Sequence, residues 1–115
     1  MPSWTRAEAP GRSYVHTWGS LTTGDATGDS VEMPGAADRS VQIVGTFSTA
    51  TVTVQGSNDG TNWFPLTDPQ GNNIAKTADA LEQIMETVRY IRPVATSADG
   101  STDVVVVLFS RSTMR

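Results

Sequence analysis

Residues 101–110 read STDVVVVLFS. Val104, Val105, Val106, Val107, Leu108 and Phe109 follow one another without a polar interruption. A β-strand sends successive side chains to opposite faces, so a strand made from this run needs both faces dry. Val104, Val106 and Leu108 then point one way, and Val105, Val107 and Phe109 the other. The first set fits the protein's own core. Leaving the second set wet would forgo several kcal/mol at about 25 cal/mol per Å² and invite aggregation. Cover can come from the N-terminal segment, from residues 78–88, or from another subunit, and the reading favoured here is a subunit interface.

The rest of the chain agrees with β structure. In RSVQIVGTF (39–47), Val41, Ile43, Gly45 and Phe47 share a side, and in STATVTVQG (48–56) Val52 and Val54 point inward. SYVHTWGSL (13–21) alternates, with Tyr14, His16 and Trp18 on one face. SVEM (30–33) is a short strand closed by Pro34 and Gly35, and WFPLT (63–67) is an edge strand because of Pro65. RYIRPVA (89–95) and the opening run form a hairpin around SADGS (97–101). The segment ADALEQIMETV (78–88) spaces Leu81, Ile84, Met85 and Val88 as a helix would, with Asp79 as a cap. One or two helical turns is the reading, with a strand as competitor. The expected fold is all-β, a single sandwich or jelly roll of seven or eight mostly antiparallel strands over residues 13–115, preceded by an extended arm at 1–12.

Composition narrows the function. The 115 residues carry eight cations, seven of them Arg, against twelve acids, a net charge of −4. A basic face is the footprint of nucleic-acid binding, so this balance argues against that role. There is no cysteine for a disulfide or a thiolate metal site. The opening MPSWTRAEAPGR lacks an apolar signal region, and a six-residue apolar run is far too short to span a membrane. The chain reads as soluble, made in the cytoplasm and complete as given.

Catalytic chemistry finds little support. His16 is the single histidine, no Gly-x-Ser-x-Gly elbow is present, and a lone His among strand aromatics reads as a packed residue. The acids of 25–38 and the pair Glu82 and Glu86 read as solvated surface rather than as paired catalytic carboxylates. GDATGD (24–29) offers Asp25 and Asp29 to calcium, but it lacks a dense ligand pattern and reads as a loop. The expectation is a protein with no enzymatic activity, cofactor or metal.

Two pieces carry a resemblance. VQGSNDGTNW (54–63) and VRYIRPVATSADGSTDVVVVLFS (88–110) resemble discoidin-like jelly-roll domains. In those domains a strand runs into a Ser-x-Asp-Gly-x-x-Trp turn, matched by Ser57, Asp59, Gly60 and Trp63. An Arg-Tyr-Ile-Arg strand, matched by Arg89, Tyr90, Ile91 and Arg92, then meets a closing apolar strand. Discoidin domains are longer and usually contain cysteine. The short, cysteine-free form resembles the head decoration (cement) proteins of tailed bacteriophages. That resemblance implies a virion structural protein on the capsid surface, made in the host cytoplasm. Its partners would be the major capsid protein, copies of itself as a homo-oligomer, or both, with no nucleic acid and no membrane.

Partner-binding candidates follow from this reading. Trp4 has no evident cover in a polar arm and is the residue type that anchors interfaces. Arg6 and Arg12, with Arg111 and Arg115 at the other end, serve either solubility or bidentate contact with acidic patches. Val105, Val107 and Phe109 complete the set. Under the alternative of a carbohydrate- or cell-surface-binding module, Tyr14 and Trp18 form the ligand site, while Trp63 is core.

Overall fold

The computed structural model describes residues 1–10, 12–32 and 38–111. Met33, Pro34, Gly35 and Arg115 lie outside them, and with them the expectations placed on those residues. The fold is all-β, two antiparallel sheets packed as a sandwich. The strands are β1 (Trp4–Ala9), β2 (Ser13–Trp18), β3 (Val31–Glu32), β4 (Asp38–Thr46), β5 (Thr51–Ser57), β6 (Phe64–Pro65), β7 (Ala75–Lys76), β8 (Ala80–Gln83), β9 (Tyr90–Thr96) and β10 (Asp103–Arg111). Seven of them exceed two residues, and the ladders add three two-residue strands to the seven or eight expected.

Sheet I has the order β1-β2-β10-β4-β8, and sheet II the order β3-β9-β5-β6, with β7 also on β5. The valine ribbon is therefore the middle strand of sheet I. Val104, Val106 and Leu108 are fully buried and meet Val41, Ile43 and Trp18 of their own sheet and Val52, Val54 and Ile91 of the other. Each inward position alternates with an outward one, so the two-residue period alone sets this core.

Three expectations are corrected. Residues 80–83 form a strand rather than a helical turn, because the outer edge of β4 takes them as its partner through Ser40↔Gln83 and Ile43↔Ala80. Strand geometry sends Ile84 inward and leaves Leu81 and Met85 exposed, breaking the helical face that their spacing suggested. Asp79 caps no helix; its carboxylate accepts the Gly45 N–H at 3.0 Å.

Nor do β9 and β10 form a hairpin. They lie in different sheets, joined by an arch over 97–102, beside a second arch (47–50) that carries β4 across to β5. Ser48 and Ser97 adopt positive φ (55° and 57°) to make these crossings. The arches brace each other: the Ser48 hydroxyl donates to Asp99 at 2.6 Å, Thr49 to the Ser97 carbonyl at 2.7 Å, and Thr102 to the Phe47 carbonyl at 3.1 Å.

Finally, the segment read as a free arm is a strand. β1 pairs along its length with β2, from Trp4↔Trp18 to Ala9↔Ser13. Its N-terminal end is tied by Gly19 N–H to the Ser3 carbonyl and Asp29 N–H to the Pro2 carbonyl, both 2.9 Å.

Pro93 sits inside β9, where a ladder would be expected to suffer. Its carbonyl accepts from Gly28 on the side away from β5, so its nitrogen faces that side too and no bond to β5 is lost.

Candidate functional site

The candidate residues fall into two places. Val105, Val107 and Phe109 stand on the outer face of sheet I, and cross-strand register identifies their neighbours. Val105 lies opposite Val44, Val107 between Gln42 and Thr17, and Phe109 between Ser40 and Val15. The rows extend outward to Leu81 and Gln83 of β8 on one side and to Thr5 and Ala7 of β1 on the other.

The two middle rows, running from Leu81 to Thr5 and from Gln83 to Ala7, contain no charged residue. Among the described residues the charges stand at the ends, Asp103 at one and the Arg111–Asp38 ion pair (2.8 Å) at the other. Val44 is 41% exposed, Phe109 39% and Leu81 68%. Neither β1 nor residues 78–88 cross this face; both join the sheet at its edges. Beside Phe109 the surface dips into a notch of about 390 Å³ lined by Asp38, Arg39, Ser40, Gln83 and Arg111. The face suits a flat, uncharged counter-surface with one protruding side chain for the notch.

The second place is the inner corner under β1. Trp4 is not an unsheltered anchor. Its ring packs against the core, meets the His16 ring edge-on at 5.1 Å between centroids, and donates from Nε1 to the Ser30 carbonyl at 3.1 Å. Trp18 is 1% exposed and donates to the Asp29 carbonyl at 2.7 Å, so it has no face to offer a sugar. Tyr14 is half-buried beneath the Arg6 guanidinium, 4.9 Å from its ring centre. Arg6 and Arg12 are exposed, Arg12 in the β1–β2 turn with φ 61°.

His16 is buried, and its Nδ1 has no hydrogen-bond partner. Burial, and then the nearby Arg6 charge, push its pKa below the ordinary 6.5. The unfolded chain thus binds a proton at His16 more readily than the folded one, so stability falls as pH drops through 6.5 and levels off below the folded pKa. We expect His16→Phe to flatten the fall in melting temperature between about pH 7 and pH 5. Thermal melts across that range check it. A slope identical to that of the unsubstituted protein would refute the assignment.

The two segments of the discoidin-like resemblance do come together, as scaffolding. Ser57 Oγ accepts the Gly60 N–H at 2.8 Å, while the Asp59 carboxylate accepts from the Asn62 and Thr61 amides, each at 2.8 Å, and from the Asn62 side chain. Those bonds hold the Asp59 pKa far below the usual carboxylate range. Gly60 supplies the turn's φ of 77°. Trp63 is not core: it lies half-buried on the outer face of sheet II under the Arg92 guanidinium, 4.1 Å from its ring centre. Arg92 donates to Gln55 at 3.0 Å, and Arg89 pairs with Glu32.

A groove of about 530 Å³ beside this turn, lined by Phe64, Leu66, Val88, Asp59 and Glu86, has both carboxylates already engaged. Burial works to raise the Glu86 pKa, yet hydrogen bonds from the Thr67 hydroxyl and amide hold it low. Glu82 is likewise paired, with Lys76 at 2.8 Å across the open side of the sandwich. Among the described residues no three His, Cys, Asp or Glu side chains gather as a metal site.

Sequence reasoning found the three outward residues of β10 but missed Val44, Val15 and Leu81 beside them. Only register joins those side chains, and the alternation of β4 and β2 was the sole available signal. No protein-family model, no curated protein and no solved structure matches this chain.

Proposed function

We propose that this chain is a non-enzymatic structural protein that adheres to a protein shell, a capsid decoration (cement) protein. One observation carries the reading: the middle of sheet I turns a charge-free face outward, on which Val15, Val44, Val105, Val107, Phe109 and Leu81 stand among uncharged polar side chains, and no part of its own described chain lies over it. Soluble monomers rarely leave such a patch contiguous, and where they do it usually marks an interaction site. The flat form, the engaged carboxylates of the two concavities described and the buried Trp18 favour a protein surface over a sugar or a substrate. Many copies on a symmetric shell gain avidity even where each contact is weak.

The test is the double variant Val107→Asp/Phe109→Asp. Both side chains point out of the sandwich, so the circular-dichroism spectrum should not change and the melting temperature should stay within about 5 °C. Co-sedimentation with assembled capsid shells that the unsubstituted protein binds should fall at least about ten-fold, as burying an unpaired charge in an interface implies. Full attachment by the folded variant would overturn the proposal.

A further inference from the structure

A sheet edge exposes backbone donors and acceptors, and proteins normally shorten, bend or charge such edges. Three of the four edges here follow that rule. β3 and β6 are two residues long, β6 contains Pro65, and β8 is short, with its Glu82 held by Lys76. The edge at β1 is different: six residues, extended, and, among the described residues, paired on one side only.

Which groups face outward can be read from the N-terminal end. The Ser3 carbonyl bonds to Gly19 on the β2 side, and the Pro2 carbonyl bonds to Asp29 on the other. Backbone direction alternates along a strand, so Trp4, Arg6 and Glu8 turn their N–H and C=O away from β2. The free edge is bounded by Asp29, seated on Pro2, and by the turn after Ala9.

The side chains on this edge are of two kinds. Thr5, Ala7 and Ala9, small residues, lie on the outer face. Arg6 and Glu8, opposite in charge and both exposed, lie on the other. Neither forms an ion pair among the described residues; Arg6 only stacks on Tyr14. A strand carrying plus and minus two residues apart becomes its own complement when it meets a copy of itself running antiparallel.

We propose that β1 pairs antiparallel with β1 of a second copy of this chain, about a two-fold axis at Ala7. In that register Arg6 of each copy faces Glu8 of the other. Outward-facing groups must oppose each other, so the neighbouring allowed registers slide one strand by two residues past the other. One sets Arg6 against Arg6 and pushes Pro10 of the second copy onto Pro2, whose carbonyl Asp29 already occupies. The other sets Glu8 against Glu8. Charge and space select the same register. Arg6 and Glu8 exchange both bonds in each of the two symmetric pairs, giving about four backbone hydrogen bonds. The small residues Thr5, Ala7 and Ala9 let the outer faces meet flush, so the two copies present one continuous docking face. This pairing does not depend on the shell-binding reading.

Two measurements test it on the full chain. In sedimentation from micromolar to about 1 mM protein, the wild type should dimerise. Arg6→Glu and Glu8→Arg should each weaken the dimer at least about ten-fold, since each change places like charges opposite one another twice, and the double reversal should restore it. In the unsubstituted protein, amide exchange at Arg6 and Glu8 should slow as concentration rises. A monomer throughout, a dimer indifferent to the single reversals, no rescue by the double variant, or exchange independent of concentration would each overturn the proposal. Loss of shell attachment in Val107→Asp/Phe109→Asp with an intact dimer would show that the two surfaces act separately.

Discussion

A chain lacking residues 1–12 is expected to lose most of its stability rather than merely its ability to bind a partner. Read as an arm, this segment would be dispensable to the fold. As β1 it supplies one of the two outer strands of sheet I, and its removal turns β2 into an edge. Trp4 goes with it, exposing the buried His16 ring, and the Ser30 carbonyl loses its donor. The Asp29 and Gly19 amides lose the Pro2 and Ser3 carbonyls, and the Ser13 hydroxyl loses the Pro10 carbonyl.

Removing a half-buried tryptophan alone costs about 2 kcal/mol on the large-to-small scale, and the unpaired polar groups add about 1 kcal/mol each. Against a typical total of about 5–15 kcal/mol, the truncated chain is left marginal or unfolded. Calorimetry on the soluble fraction decides the matter: the melting temperature should fall by at least about 15 °C, or no cooperative transition should remain. A truncated chain melting within a few degrees of the whole would show that β1 is an accessory to the sandwich. The outcome also governs how attachment experiments are read, because lost binding by a truncated chain would report unfolding as readily as a missing contact. Point substitutions on the outer face avoid that confusion.

How far the sequence reveals this architecture depends on the range of each signal. Inward and outward positions are local properties of a strand, so Val41, Ile43, Val52, Val54 and the alternate members of the valine ribbon were legible from a period of two. The pairing of strands is not local. An arch and a hairpin both need a short polar turn, and SADGS fits either; the choice rests on the second arch, fifty residues away, whose Ser48 meets Asp99. Residues 80–83 were ambiguous because β4 needed a partner, a demand that their own spacing does not encode.

Trp4 was misread for the opposite reason. Its neighbours are polar, yet its cover comes from His16 and the Ser30 backbone, both distant in sequence. On the outer face, Val105, Val107 and Phe109 were legible because six apolar residues cannot all face one core. The extent of the patch was not, since Val15, Val44 and Leu81 become neighbours only through register.

The same central ladder contains a position that cannot take even a methyl group without strain. Gly45→Ala adds one methyl group, and at most sites in a sheet that is nearly neutral. Here Gly45 has φ 150°, a conformation that side-chain-bearing residues rarely adopt, and it lies opposite Val104 in the β4–β10 pair. A Cβ built on it would stand 2.3 Å from the Asp103 carbonyl oxygen and 2.8 Å from the Val104 Cα. Both are backbone atoms of the middle strand and cannot turn aside as a side chain would. Relief requires β4 to move away from β10, which would loosen Val106 against Ile43. Backbone strain of about 1–3 kcal/mol and overpacking of similar size combine to about 4 kcal/mol. For a domain of this size the melting temperature should drop by about 15 °C. Gly100→Ala is the control: no atom lies within 4 Å of the added group, and its melting point should stay within about 3 °C. Equal melting of the two variants would mean that β4 and β10 can part at this point without cost, and the rigid central pair on which the proposed docking face depends would have to be abandoned.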